Sequence, residues 1–201
     1  VTDQLRGHIG SLVSRFVEGY GANHMPYEPV DQAGVYEAMN QVWGQDLMPD
    51  LDIQNAGYVL SFGADWLNTW GSPVRYAKGY GEFRQGHQHR GTLIHADTRF
   101  SMTAANADQW IHVEPGMEGL LALSIAQVIA TEKLGDPQAL SALTSGPGFD
   151  LDKFAPSIVA SKISKSVDPG HMQKLIKHTA IDFANQHNGP SIAFGGGSVA
   201  G

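Results

Sequence analysis

The sequence predicts an α/β fold, a three-layer domain with a mostly parallel sheet and helices on both faces. Two observations carry this prediction. Short apolar segments of the kind found in buried strands, at 58–62, 92–96 and 110–113, alternate along the chain with amphipathic helical patterns. Each of these segments also stops at a glycine or a carboxylate, which suits the carboxyl edge of a parallel sheet that binds a ligand. Such a domain is Rossmann-like.

The helices are predicted from apolar residues that recur at helical spacing, with glycine or proline at the ends. They cover 9–20, 35–43, 73–83, 118–133 and 168–183. A short helical turn is predicted over 101–107, and a fourth strand over 191–194 after Gly189-Pro190. The segment 23–29 contains two prolines and is at best an edge strand, and 136–165 is expected to be irregular with short helical pieces.

Composition bounds the class of protein. The chain has 201 residues, 42% hydrophobic and 16% charged, which fits one folded α/β domain over residues 1–201. Its net charge of -7 argues against nucleic acid as a partner, and no apolar run is long enough for direct membrane insertion. Cysteine is absent, which removes thiolate chemistry and iron–sulfur ligation from these residues. The glycine-rich end after 194 and the start without methionine suggest a fragment of a larger protein.

The three strand ends hold the candidate site residues. Gly63 and Ala64 follow the first strand, where backbone amides can approach a phosphate, although Gly63 could equally serve a tight turn. Asp97 ends the second strand and could accept hydrogen bonds from ribose hydroxyls, with Arg99 beside it; a surface ion pair is the alternative. Glu118 suits paired N–H donors, and it equally suits the first turn of a helix.

Metal and catalytic residues are not predicted. His87 and His89 form the close histidine pair, but a metal site needs a third ligand and a carboxylate nearby. His24, His95 and His112 lie near predicted strand ends, where one could line a pocket, although core or rim positions are commoner. No hydrolase, kinase or metalloprotease motif occurs in the sequence.

Four motifs taken in order resemble the molybdopterin oxidoreductase (dimethyl sulfoxide reductase) family. Members carry a strand ending in Gly-x-Asn-Pro, then Asp-Pro-Arg, then Thr-Ala-x-x-Ala-Asp, then Arg-Pro-Gly-Thr-Asp. The corresponding segments here are Gly63-Ala64-Asp65-Trp66, Asp97-Thr98-Arg99, Thr103-Ala104-Ala105-Asn106-Ala107-Asp108 and Glu114-Pro115-Gly116-Met117-Glu118. The order and spacing of the four make the resemblance specific in a way that no single motif would be.

The resemblance implies that this domain binds one guanine dinucleotide arm of a molybdopterin cofactor, whose molybdenum performs the redox chemistry. It further implies that the backbone at Gly63 and Ala64 approaches the pyrophosphate, that Asp97 and Arg99 lie by the ribose, and that Glu118 faces the guanine edge. The full set of cofactor-binding residues that it implies is Gly63, Ala64, Asp65, Asp97, Arg99, Gly116 and Glu118.

Departures from the family pattern leave a second function open. Asp65 stands where the family has asparagine, and two like charges about 4 Å apart cost on the order of 4 kcal/mol at an effective dielectric constant of 20. Thr98 replaces a proline, and Glu114 replaces an arginine. The alternative is a cofactor-free scaffold or electron-transfer subunit with the same fold.

The segment 61–86 resembles in particular the large subunits of quinone-coupled membrane complexes, such as alternative complex III and the related quinone reductase complex. This implies iron–sulfur and membrane quinone-binding subunits as partners, and a peripheral position at the periplasmic or extracytoplasmic face of the membrane. Any iron–sulfur cluster would then belong to flanking regions outside these residues.

Overall fold

A computed structural model describes residues 1–3, 5, 7–27, 33–85, 90–144, 150–185 and 189–196. Two compact units, 1–32 and 33–201, are described separately, and the prediction of one domain over 1–201 stays a prediction. The histidine pair His87 and His89 and the glycine-rich end beyond Gly196 lie outside the described residues.

The first unit consists of one helix and a short bridged segment. Helix α1 covers Gly7–Tyr20, as its apolar stripe predicts, and none of its residues is buried. The segment 23–29, expected to be at best an edge strand, pairs through a parallel β-bridge between Thr2 and Pro26 in its described residues. Because proline cannot donate to a ladder, this segment does not extend the pairing.

The second unit alternates helices and strands. Its helices are α2 (Ala33–Trp43), α3 (Pro73–Gln85), α4 (Met102–Asn106), α5 (Glu118–Thr131), α6 (Pro137–Thr144), α7 (Pro156–Ile163) and α8 (Pro169–Asn185). Its strands are β1 (Tyr58–Phe62), β2 (Thr92–Asp97), β3 (Gln109–His112) and β4 (Ser191–Gly195), and short 3-10 turns cover Ile53–Asn55 and Leu151–Phe154. No helix among the described residues is long and apolar enough to cross a membrane.

The four strands form one parallel sheet in the order β3-β2-β1-β4. The chain runs outward from β1 to β2 and β3, and it then returns to place β4 on the other side of β1. The strand order therefore reverses between β1 and β4, where parallel sheets open a crevice at their carboxyl ends.

Two hydrophobic cores cover the two faces of the sheet. Alternation along β1 sends Leu60 to one face and Val59 to the other, and both side chains are almost completely buried. The first face packs against α5, α7 and α8, and the second against α3 and the aromatic side chains that follow β1. The predicted α/β fold with helices on both faces of a parallel sheet is confirmed.

The region 136–165, predicted to be irregular with short helical pieces, contains α6, a 3-10 turn and α7 among its described residues. Pro156 begins α7 at its first turn, where its missing N–H costs nothing, and α7 buries Val159, Ala160 and Ile163. Both α6 and α7 have 8 residues, a length at which helices depend on tertiary packing more than on local pattern. A sequence pattern of two turns is too short to predict their bounds.

Candidate functional site

The carboxyl edge of the sheet carries the candidate site, and Gly63 lies at its centre. Gly63 follows β1 with a φ of +63°, a conformation that favours glycine. Its N–H donates to the Ala96 carbonyl of β2 at 2.8 Å, and the N–H of Gly196 donates to the Phe62 carbonyl at 2.7 Å. The ends of β1, β2 and β4 are thereby tied together at the point where the strand order reverses.

The backbone after β4 approaches the backbone after β1 closely. A Cβ atom on Gly196 would lie 2.6 Å from the Gly63 carbonyl oxygen and 3.1 Å from the Ala64 nitrogen. The indole N–H of Trp70 donates to the Gly196 carbonyl at 2.9 Å and fixes this approach. The two glycines therefore allow the two backbone segments to pack directly against each other at this end of the sheet.

We expect Gly196→Ala to destabilise the 201-residue chain by about 1–2 kcal/mol, because the methyl group forces two backbone segments apart. Urea-induced unfolding measures the change. The matched control is Gly81→Ala in α3, where an added Cβ meets nothing within 4 Å. This control should be stabilised by about 0.5–1 kcal/mol through helix propensity, so equal effects in the two variants would contradict the close approach.

Glu118 lies at the first position of α5, next to the β1 end. The Cβ position of Gly63 is 3.7 Å from the Glu118 Cγ and 4.0 Å from its Oε1. The residue is only 8% exposed, and its Oε2 is buried without a hydrogen-bond partner in the described structure. A helix N-terminus favours a negative charge, but a buried carboxylate oxygen needs donors. This oxygen is suited to accept an N–H from a ligand.

Asp65 is the centre of a buried hydrogen-bond cluster. Its Oδ1 accepts from the Thr103 N–H at 3.1 Å and from the Thr103 hydroxyl at 2.9 Å. Its Oδ2 accepts from the Asn68 amide at 3.1 Å and lies 3.3 Å from the Arg99 guanidinium. The carboxylate is therefore directed to protein donors that join the β1 end to the start of α4.

Asp97 ends β2 with a side chain that is 9% exposed. Its Oδ1 accepts from the Arg99 N–H at 3.3 Å, and its Oδ2 lies 3.3 Å from the His95 Nε2. Burial acts to raise the pKa of Asp97, but hydrogen bonds from His95 and from the Arg99 and Thr98 backbone outweigh it, so the pKa is lowered. Asp97 is consequently an ionised acceptor at the sheet edge.

Five of the seven predicted site residues meet in two groups. Gly63 contacts Glu118, and Arg99 joins Asp65 through its guanidinium and Asp97 through its N–H. Ala64 is completely buried next to Gly63. Gly116 makes none of these contacts; its φ of +77° serves the turn before α5.

The residues that depart from the family pattern are also placed. Glu114 accepts the Lys165 N–H on its Oε1 at 3.1 Å, and its own N–H donates to the Ile163 carbonyl at 2.7 Å. It therefore ties the segment before α5 to the end of α7. The Thr98 hydroxyl donates to the Asp97 Oδ1 at 3.4 Å, an interaction that the family's proline cannot make.

Sequence reasoning named His95 only as one of three histidines that could line a pocket or lie in the core, and it missed other residues that support the site. Ser61 and His95 are polar residues in otherwise apolar strands, and both are completely buried. A polar residue within an apolar strand pattern is the sequence signal that could have identified them. Thr103 and Gly196 gave no local signal, because their partners lie far away in the sequence. In the described part of the chain, no group of three His, Cys, Asp or Glu side chains could hold a metal ion.

The fold and its edge define a class: α/β domains whose ligands bind beyond the carboxyl ends of parallel strands, at a reversal of strand order. A scan against protein-family models gives no match. Among solved structures, the fold is similar to that of acetylene hydratase from Pelobacter acetylenicus, with a TM-score of 0.52 and 19% identity over 81% of this chain and 20% of that one.

Curated relatives are more specific. The chain is 28% identical over 162 residues to the menaquinone reductase, molybdopterin-binding-like subunit of Nitratidesulfovibrio vulgaris, a match covering 78% of this chain and 22% of that protein. It is 34% identical over 100 residues to the arsenate respiratory reductase molybdopterin-containing subunit of Shewanella sp. strain ANA-3, covering 45% of this chain and 10% of that protein. It is 38% identical over 88 residues to the perchlorate reductase subunit alpha of Dechloromonas aromatica, covering 40% and 10% respectively.

These relatives confirm the resemblance to the molybdopterin oxidoreductase family that the four motifs predict. The chain is a homologue of molybdopterin-type oxidoreductase subunits. It spans about a fifth of the length of the menaquinone reductase subunit and about a tenth of the length of the other two.

Proposed function

We propose that this domain binds the guanine dinucleotide arm of a molybdopterin cofactor at the carboxyl edge of its sheet, within a subunit of a respiratory electron-transfer complex. The observation that carries the proposal is the Glu118 Oε2, a buried carboxylate oxygen that lacks a donor among the described residues, on a side chain whose Cγ and Oε1 adjoin Gly63. Guanine presents two adjacent N–H donors on one edge, and a carboxylate can accept both.

The surrounding residues fit the rest of such a ligand. Gly63 carries no side chain at the end of β1, where the carboxyl edge of a parallel sheet can receive a phosphate chain, although the Gly63 and Gly196 N–H groups themselves donate within the sheet. Asp97 supplies an ionised acceptor of the kind that binds ribose hydroxyls in related folds, and Arg99, with a side chain 68% exposed, can meet a phosphate. These groups would hold and orient the cofactor.

Asp65 is compatible with this proposal. Sequence alone placed a carboxylate where a phosphate is expected, but the Asp65 side chain is occupied by Thr103, Asn68 and Arg99. Its charge is partnered by a guanidinium, which weakens the repulsion argument. Aspartate at position 65, where the family has asparagine, is therefore compatible with an anionic ligand nearby.

The cofactor, when bound, supplies oxidation and reduction through its molybdenum. The residues of this chain bind the nucleotide end and exclude water from it, because Ala64, Asp97 and Glu118 are buried at the edge. The domain's contribution is therefore positioning.

The proposed setting is a membrane-associated complex with iron–sulfur and membrane quinone-binding subunits, on the periplasmic or extracytoplasmic side. The menaquinone reductase relative supports a multi-subunit quinone-linked context by its name. This setting is proposed for a whole protein of the relatives' kind. The present chain covers only about a tenth to a fifth of their length.

A cofactor-free scaffold is the second candidate, and Glu114 favours it. A carboxylate takes the place of the family's arginine, and its Oε1 is used to anchor the Lys165 backbone. The relative from Nitratidesulfovibrio vulgaris is also described as molybdopterin-binding-like.

The two candidates are separated by the nucleotide content of the full-length protein. We expect purified protein from a molybdopterin-producing host to contain molybdenum by mass spectrometry and to release stoichiometric GMP after acid hydrolysis of its cofactor. Release of CMP would replace guanine by cytosine as the recognised base. Absence of both metal and nucleotide would instead support the scaffold.

A further inference from the structure

A line of buried polar side chains crosses one face of the sheet beneath Asp97. Ser61 of β1 and His95 of β2 are register partners, and both side chains are completely buried. The Ser61 Oγ lies 2.7 Å from the His95 Nδ1. A polar group in an apolar core costs free energy unless it is hydrogen-bonded. The presence of Ser61 and His95 in this core therefore needs a structural or functional explanation.

The direction of the hydrogen bonds follows from the Trp66 indole. Its Nε1–H can only donate, and it reaches the Ser61 Oγ at 3.3 Å. The Ser61 hydroxyl accepts that bond and directs its own hydrogen to the His95 Nδ1. The reverse arrangement would leave the hydroxyl hydrogen with no acceptor among its described partners. Nδ1 is therefore the acceptor, and the proton of a neutral ring resides on Nε2.

The far side of the ring faces Asp97. The His95 Nε2 lies 3.3 Å from the Asp97 Oδ2 and 3.4 Å from the Ser101 Oγ. The Ser101 Oγ already accepts the Ala104 N–H at 3.2 Å, as the cap of α4. Since Nε2 carries the proton, it donates toward the carboxylate and restricts its rotation. An ionised carboxylate can accept more hydrogen bonds than Asp97 receives from the described residues. Asp97 can therefore still accept hydrogen bonds from a ligand.

We propose that Trp66, Ser61 and His95 form a one-directional chain of hydrogen bonds that holds Asp97 as a preorganised acceptor for vicinal hydroxyls of a bound nucleotide. This inference rests on the proposed function and names His95 as a positioning residue of that site. The chain runs along this face of the sheet from the aromatic core to the carboxyl edge, so it holds the Asp97 carboxylate from the core side.

Two substitutions of His95 separate positioning from packing. The amide of glutamine can take the place of Nε2 and still donate to Asp97, whereas the shorter amide of asparagine takes the place of Nδ1 and reaches only Ser61. The probes are GDP and 2′,3′-dideoxy-GDP, measured by calorimetry on full-length protein from a host that cannot make molybdopterin.

We expect the unsubstituted protein to prefer GDP over the dideoxy analogue by about tenfold, the value of one hydrogen bond to a charged group. His95→Asn should reduce that preference to less than about twofold, and His95→Gln should keep most of it. Retention of the full preference in folded His95→Asn would overturn the inference.

The outcomes also distinguish the inference from the function on which it rests. Failure of the unsubstituted protein to bind GDP counts against the proposed nucleotide site itself. If His95→Asn does not fold, Ser61→Ala serves in its place, because loss of the hydroxyl releases the ring. It should lower the GDP preference by at least about threefold, and an unchanged preference in that variant overturns the inference.

Discussion

Glu118→Gln should weaken GDP binding by about 30- to 150-fold, because one hydrogen bond from guanine to a charged group is replaced by an N–H facing an N–H, a loss of about 2–3 kcal/mol. Calorimetry on the full-length, cofactor-free protein measures the affinity. IDP, which lacks the exocyclic amino group, should bind the unsubstituted protein less tightly than GDP. In Glu118→Gln the ratio of the two affinities should approach one.

Glu114→Gln is the matched control for this change. It also removes a carboxylate near the start of α5, but its Oε1 is already occupied by the Lys165 N–H, and a glutamine oxygen can keep that bond. GDP affinity should change by less than about twofold. Because the Glu118 Oε2 has no protein donor in the described structure, Glu118→Gln should also leave the unfolding midpoint unchanged or higher. Equal losses of affinity in both variants would indicate a general effect of charge.

Asp65→Ala should destabilise the 201-residue chain by about 3 kcal/mol, because it leaves the Thr103 N–H and hydroxyl buried without an acceptor. Asp65→Asn should cost about half as much, since its amide oxygen can still accept from Thr103 while its nitrogen faces the Asn68 and Arg99 donors. Urea-induced unfolding followed by circular dichroism gives both values.

Asp50→Ala provides the comparison for Asp65. Asp50 also pairs with an arginine, Arg75, at 2.6 Å, but the two side chains are 64% and 59% exposed. An exposed ion pair contributes at most about 1 kcal/mol, so this variant should remain close to the unsubstituted chain. If Asp65→Ala were no more destabilised than Asp50→Ala, Asp65 would not organise the β1 end.

Much of the fold could be predicted because its signals are local and strong. The segment Tyr58–Phe62 is uniformly apolar apart from Ser61, and β1 has these bounds in the structure. The predicted helix at 118–133 corresponds to Glu118–Thr131. Only short helical pieces could be predicted over 136–165, and the bounds of α6 and α7 could not be given, because such short helices depend on packing. Strand β3 begins one residue before the predicted segment, at Gln109.

The candidate site also contains residues that could be predicted from local sequence and residues that could not. Gly63, Asp97 and Glu118 could be singled out because each lies at the end of an apolar strand or the start of a helix. The direction of the Asp65 side chain could not be predicted, because its main partner, Thr103, is 38 positions away in the sequence. The sequence places the Asp65 carboxylate near the edge of the sheet, but it does not show that the side chain points toward Thr103. On the sequence alone, the carboxylate is therefore expected to face a ligand.

The pairing of β1 with β4 has a consequence for synthesis on the ribosome. Tyr58 pairs with Ser191, so one side of β1 has no partner until nearly all of the second unit has been made. During that interval an apolar strand presents an open edge, which is the feature that recruits foreign strands and promotes aggregation. When β4 emerges, it pairs with β1 and brings Gly196 against Gly63 in the same event. A nascent chain therefore forms the proposed ligand edge only when the open side of β1 is covered.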